Sequence, residues 1–269
     1  MRLLVASIVL VAGLQPVLCQ QPDPAAQAAA LHAILVHQQS SLWDYEANVP
    51  NLFAEEHVVS TLKQKGARDM KRTTDSTFRL VRVHAPGEST TFSESREIRL
   101  VNKKPVQGGD LGGPAIFSGA FSAGVGVVSL EMSRCFDYTM EPTAMLGGTS
   151  AVVIDYAIKA DAENDCPGPE SRSGRAWFDA QSDQLLRIEM SVPHHWDESS
   201  HTRSLWTWSV DYAPVNFESR TFWMPKTITS KAEANDTAAT WMFTASYSNY
   251  HRLTVTSRII ADVGDDAPR

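Results

Sequence analysis

The feature that most constrains this chain is an apolar–polar alternation with a period of two, repeated along most of its length. "TFSESREIRLV" sets Phe92, Ile98 and Leu100 on one face and Ser93, Glu97 and Arg99 on the other. "RCFDYTM" alternates Phe136, Tyr138 and Met140 with Cys135, Asp137 and Thr139. "SAVVIDYAIKA" lines up Val152, Ile154, Tyr156 and Ile158, and "SLWTWSVDYAPV" lines up Trp206, Trp208, Val210 and Tyr212. "STFRLVRV", "TFWMPKTITSKA" and "TWMFTASYSNYHRLTV" read the same way. This pattern predicts antiparallel strands with one face buried and one wet. Pro225 within one of them predicts a sheet edge or a bulge.

Two stretches break the pattern. From Pro24 to about Leu42 the period is helical, with Ala28, Leu31, Ile34, Leu35 and Leu42 forming a stripe. Asp23 suits the N-cap and Pro24 the first helical position, and "NVPN" ends the pattern. The second interruption, "VQGGDLGGPAIFSGAFSAGVGVVSLEM", reads as a glycine loop and a short helix over Ala115–Val128. So many glycines cannot hold an isolated helix, so the segment needs the sheet as support. A packed connector and a mobile lid both fit it.

"GRAWFDAQSDQLLRIEM", Gly174 to Met190, is a hairpin. Asp179, Ser182 and Asp183 supply the turn chemistry. Leu186, Ile188, Met190 and Val192 then face one way, and Arg187 and Glu189 the other. Together with the strand entry "VPNLFAEEHVVSTL", this hairpin resembles the LolA/LolB-like group of periplasmic lipoprotein carriers and outer-membrane lipoprotein-sorting proteins, and secreted bacterial proteins that share the hairpin. The resemblance implies an unclosed antiparallel β half-barrel whose mouth is plugged by helices and whose apolar interior takes up acyl chains. The carriers' functional residues, such as a buried arginine that controls lid closure, match no position here.

The N-terminus predicts export. Arg2 precedes an apolar run from Leu3 to Leu14, and Pro16 and polar Gln20 and Gln21 follow. This is a signal-peptide pattern over residues 1–19, and the run is too short to span a bilayer. Lipidation of Cys19 is the rival reading, disfavoured by Pro16, Val17 and Leu18 where small residues are preferred. The expectation is one β-rich half-barrel domain over residues 20–262, a disordered tail over 263–269, and a periplasmic or extracellular location. The formal charge is −7 with Arg2 counted, so −8 without it. That balance, with no polybasic stretch, points away from nucleic acid and anionic membrane surfaces. Cys135 and Cys166 then remain, and two cysteines in an oxidising compartment predict a disulfide.

Catalytic signals are absent: the sequence holds no G-x-S-x-G, H-E-x-x-H or P-loop pattern. "VPHHWDESSH" reads as a solvated loop between strands, with His195 and His201 the candidate ligands if a metal binds. The carboxylate pairs Glu55–Glu56 and Asp265–Asp266 read as surface and tail. No cofactor is called for, and whether the chain is an enzyme stays open, with the balance against it. The favoured function is binding of a lipid or other apolar ligand in a half-barrel cavity lined by Ile154, Tyr156, Ile188, Trp206, Trp208 and Tyr212. One alternative is a solid-cored interaction module for a protein partner in the cell envelope or a glycan, using Trp177 and Trp223. The other is a metal-assisted hydrolase around the His194–His201 loop.

Overall fold

The computed structural model describes residues 23–83, 91–106, 121, 126–162, 166, 171–197, 201–234 and 238–254. The signal-peptide segment, Cys19, the C-terminal tail and most of the Ala115–Val128 segment lie outside them.

The helix predicted at the N-terminus is α1, Pro24–Asn48. The Asp23 carboxylate accepts from the Ala25 N–H at 3.0 Å, and Pro24 occupies the first turn. The helix runs past Leu42 because its end is held: the Arg82 guanidinium donates to the Ala47 and Val49 carbonyls at 2.8 and 2.7 Å. Pro50 then prevents continuation. The buried stripe is rotated from the predicted one. It consists of Ile34, Leu35, Gln38, Gln39 and Tyr45, while Ala28 is exposed.

The strands are β1 Leu52–Gln64, β2 Met70–Val83, β3 Thr91–Val101, β4 Lys104–Pro105, β5 Phe136–Leu146, β6 Thr149–Ile158, β7 Ser173–Asp179, β8 Leu185–Asp197, β9 Thr202–Phe217, β10 Arg220–Ala234 and β11 Ala239–Arg252. Among the described residues they form one antiparallel sheet in the order β4-β3-β2-β1-β11-β10-β9-β8-β7-β6-β5. The sheet is not closed: β4 and β5 are its two edges. They are also consecutive in the chain, so the connection between them has to travel from one edge to the other. Two described pieces of it lie on the inner face. Phe121 stacks on Phe78 with ring centroids 4.3 Å apart, and the Leu130 N–H reaches the Leu35 carbonyl of α1 at 3.2 Å. Residues 126–128 are turn and bend, and a single 3-10 turn follows at Glu131–Arg134.

Local signals explain several details. Gly147 and Gly148 both have positive φ, 57° and 92°, as the tight β5–β6 turn demands. In the β7–β8 turn Asp179 accepts from the N–H groups of Gln181 and Ser182, both at 2.9 Å. Pro225 lies at a register shift between β9 and β10, and β10 is a central strand, so the proline marks a bulge and no edge. Pro142 lies at a similar shift in edge strand β5. Gly174 is required by its neighbours: a Cβ there would lie 2.0 Å from the Glu189 carbonyl oxygen and 2.3 Å from the Tyr156 hydroxyl. The Tyr156 ring covers this spot and its hydroxyl donates to that same carbonyl at 2.6 Å. Cys135 and Cys166 are bridged, with Cα atoms 5.6 Å apart and a sequence separation of 31. Closing a loop of that length stabilises by about 3–4 kcal/mol in the chain-entropy picture.

Candidate functional site

The inner face is built on one registered row. Met140, Ile154, Ala176, Ile188, Val210, Ile228, Ala245 and Val58 pair in succession from β5 to β1. Every member is apolar, so the row is a continuous belt across eight strands. The six residues predicted to line a cavity all lie on this face. Ile154 and Ile188 are fully enclosed, Tyr156, Trp208 and Tyr212 nearly so, and Trp206 partly. The Trp206 indole N–H donates to the Ser230 hydroxyl at 2.8 Å.

A gap remains between α1 and the sheet. A recess of about 410 Å³ is lined by His37, Gln38, Asp44 and Tyr45 from the helix and by Leu185, Tyr212, Phe222 and Trp223 from the sheet. Part of its wall is aromatic, beside the polar Ser40, Ser41, Gln184 and Thr221, and the Tyr45 ring sits 5.8 Å from Phe92 and 6.3 Å from Phe222. Tyr45 and Tyr212 are 7% and 6% exposed, and neither hydroxyl has a hydrogen-bond partner among the described residues. Burial pushes both phenols well above the ordinary tyrosine range, and Tyr212 and Glu94 add to the push on Tyr45. Both are therefore neutral donors. A buried, unpaired hydroxyl is unfavourable by about 1–3 kcal/mol.

A second polar group on the same face is finished differently. Glu56, read from the sequence as surface, is 2% exposed. Its one carboxylate oxygen accepts from the Ser76 hydroxyl at 2.6 Å. The other accepts from Arg96 Nε and from the Tyr247 hydroxyl, both at 2.8 Å. The Arg96 guanidinium lies 5.0 Å from the Phe78 ring. The correction has a simple cause: Leu52, Ala54, Glu56 and Val58 alternate inward, so period two carries the carboxylate into the core.

The outer face carries a broader depression. A trough of about 800 Å³ follows two registered outer rows, from Asp137 and Thr139 on β5 to Met242 and Thr244 on β11. Thr139, Ser191, Thr207, Ser209, Thr229 and Thr244 bring hydroxyls to its lining beside apolar residues such as Met242, with Arg175 paired to Asp155. Trp177 lies on this face, 6.0 Å from the guanidinium groups of both Arg175 and Arg187. Trp223 does not join it, being packed against the core and lining the inner recess.

Of the three histidines expected in a loop, only His201 lies in the turn between β8 and β9. His194 and His195 lie within β8, which resumes pairing with β9 after a register shift at Pro193. His195 packs on Trp206 at 4.6 Å and His201 on Trp196 at 6.2 Å. Among the described residues no group of three or more His, Cys, Asp or Glu side chains is placed to hold a metal.

Sequence reading missed Tyr45, Glu56, Arg96 and Tyr247. The signals were there in part: Glu56 falls on the apolar phase of β1, and Tyr45 follows Gln38 and Leu42 at helical spacing.

No family model matches the chain, and no curated protein matches it in sequence. Solved structures do. An outer-membrane lipoprotein-sorting protein domain from Vibrio parahaemolyticus is 10% identical, with 82% of this chain and 93% of that chain covered and a TM-score of 0.37. A DUF1329 family protein from Desulfovibrio piger is 10% identical over 86% and 95% of the two chains, with a TM-score of 0.39. A LolA superfamily protein from Nitrosomonas europaea is 8% identical over 82% and 94%, with a TM-score of 0.35. The lipoprotein-sorting and LolA group that the hairpin resembles is thus represented among the structures this chain is similar to.

Proposed function

We propose that this chain is an exported, non-enzymatic binding protein that holds a lipid or other apolar ligand between α1 and the inner face of its open sheet. The observation that carries this reading is the recess of about 410 Å³ between α1 and β8–β10, walled by Tyr45, Tyr212, Phe222 and Trp223. It gives a ligand access to the face that bears the apolar belt. Each methylene buried there contributes about 0.8 kcal/mol before the costs of ordering. Ile154, Tyr156, Ile188, Trp206, Trp208 and Tyr212 form the lining a ligand reaches as it displaces packing on that face. The Cys135–Cys166 bridge agrees with an oxidising compartment such as the periplasm. No helix among the described residues is long and apolar enough to cross a membrane. In this reading residues 1–19 are removed and one domain follows, extending to about residue 262.

Native mass spectrometry and organic extraction of the protein, purified without detergent from an exporting host, test the reading. Near-stoichiometric lipid, or a saturable shift of tryptophan emission on titration with methyl oleate that Trp223→Phe reduces, is the expected result. An empty protein whose emission ignores methyl oleate would overturn it.

The outer trough favours a second reading, an interaction module for a polar partner in the cell envelope. Its depression is lined by hydroxyls and paired charges and lies beside Trp177 and its two arginines. Trp177→Ala together with Arg175→Ala would then abolish partner capture while leaving methyl oleate binding intact.

A further inference from the structure

We infer that the recess between α1 and β9–β10 is a subsite for a neutral carbonyl group, an ester or amide carried on an apolar chain, with the Tyr45 and Tyr212 hydroxyls as its two donors. The inference rests on the reading of the recess as a ligand site and adds the chemistry of the ligand's polar end.

Three observations converge. First, the two tyrosines are more than nine-tenths buried and line one recess, and their hydroxyls, enclosed behind its wall, have no partner among the described residues. A hydroxyl satisfies itself first by donating, and a carbonyl oxygen has two lone pairs to receive two donors. Second, the charge around the recess disfavours an anion. Asp44 is on its rim, and Glu94 is close enough to Tyr45 to act on its phenol. Arg220 is engaged by Asp44 at 3.2 Å, Arg82 by the Ala47 and Val49 carbonyls, and Arg96 by Glu56 and Glu94, while His37 lines the recess itself. A carboxylate or phosphate would meet guanidinium groups that are already engaged. Third, part of the wall is apolar, with Leu185, Phe222 and Trp223 beside the polar Gln38, Ser40, Gln184 and Thr221. The apolar three offer contact to the chain that carries the carbonyl.

Elsewhere on the inner face the protein satisfies buried tyrosines itself. Tyr156 donates to the Glu189 carbonyl, Tyr138 to the Val127 carbonyl, Tyr250 to the Pro225 carbonyl and Tyr247 to Glu56. Three of these four acceptors are backbone carbonyls. Tyr45 and Tyr212 are the two of the six tyrosines without such an acceptor among the described residues, and they are the two that line the recess.

The test compares probes of one chain length on the full mature protein: hexadecane, methyl palmitate, palmitate and hexadecyltrimethylammonium, each at concentrations below its aggregation threshold, followed by tryptophan emission. The inference expects methyl palmitate to bind more tightly than hexadecane. Tyr45→Phe and Tyr212→Phe should each weaken the ester by about 2- to 10-fold and leave hexadecane unchanged. Both variants keep ring and packing, so each should fold at least as stably as the parent. Equal affinity for ester and alkane, unchanged by either variant, would overturn the carbonyl subsite and leave the apolar-ligand reading standing. Tightest binding of palmitate or of the ammonium probe would overturn it in favour of a charged headgroup. No binding of any probe would overturn both readings.

Discussion

At the β1–β2 side of the inner face a carboxylate, Glu56, is enclosed with a partner for each oxygen. At the β9–β10 side two phenols, Tyr45 and Tyr212, are enclosed with none among the described residues. Both sites interrupt the same apolar surface, and both are deep enough that desolvation is costly. The difference separates structure from function. Ser76, Arg96 and Tyr247 satisfy both oxygens of Glu56, so that cluster ties β1, β2, β3 and β11 together, with one Arg96 nitrogen left 3.8 Å from Glu94 and outside hydrogen-bond range. The tyrosines by α1 are settled only by something that comes in.

The largest effect that bears on this contrast is alkaline. All six tyrosines are pushed upward, with burial the leading cause in each. The folded state keeps protons that the unfolded chain releases above a pH of about 10. Stability is therefore full below that pH and falls as pH rises, by about 1.4 kcal/mol per pH unit for each tyrosine that ionises only on unfolding. Tyrosinate absorbance should appear as one cooperative step that coincides with loss of far-UV signal. A gradual titration near the ordinary value, in a chain still folded, would mean the two sites are wetter than the contrast requires.

Next comes Glu56→Ala. It leaves the Arg96 charge enclosed without its hydrogen-bonded carboxylate, with Tyr247 beside it and Glu94 at 3.8 Å. Breaking one partner of a buried pair costs about 3–5 kcal/mol, which urea unfolding will read. Gly174→Ala probes neither polar site and calibrates the packing between them. The added methyl meets the Glu189 carbonyl and Tyr156, and overpacking of this kind costs about 1–3 kcal/mol. The smallest effect is the most informative. Tyr247→Phe removes a donor to a carboxylate and should cost about 1.5–3 kcal/mol. Tyr212→Phe removes a hydroxyl with nothing to lose and should be neutral or stabilising by up to about 1 kcal/mol in the ligand-free protein. Equal costs at the two positions would erase the distinction between the sites.

Much of this architecture is legible in the chain itself. Trp208, Val210 and Tyr212 point inward as their spacing requires, Asp179 makes its turn, Pro225 makes its bulge and the two cysteines pair. These signals are local, or need a single partner. The Glu56 cluster is different in kind. Its carboxylate meets Arg96 from 40 residues away and Tyr247 from 191 away. Alternation alone could place Glu56 inside, but only the partners make that placement tolerable, and they are set by which strands become neighbours. The recess is harder still. It depends on how α1 lies over the sheet, which is fixed by contacts such as Arg82 to the end of the helix and Gln38 to the Asp183 carbonyl at 2.5 Å.

The unclosed sheet has one more consequence. Each free end of a sheet is a template on which a neighbouring chain can add strands, and repeated addition leads to polymers. Here one end is the two-residue strand β4, half of which is Pro105, and the other is β5, bent out of register at Pro142. Proline offers no N–H to an incoming strand, and the bend spoils the straight run that stacking needs. Among the described residues β4 covers only Leu100 and Val101 of β3, so the rims are blunted at Pro105 and Pro142 rather than closed, and the length of β3 before Leu100 is where another copy would add.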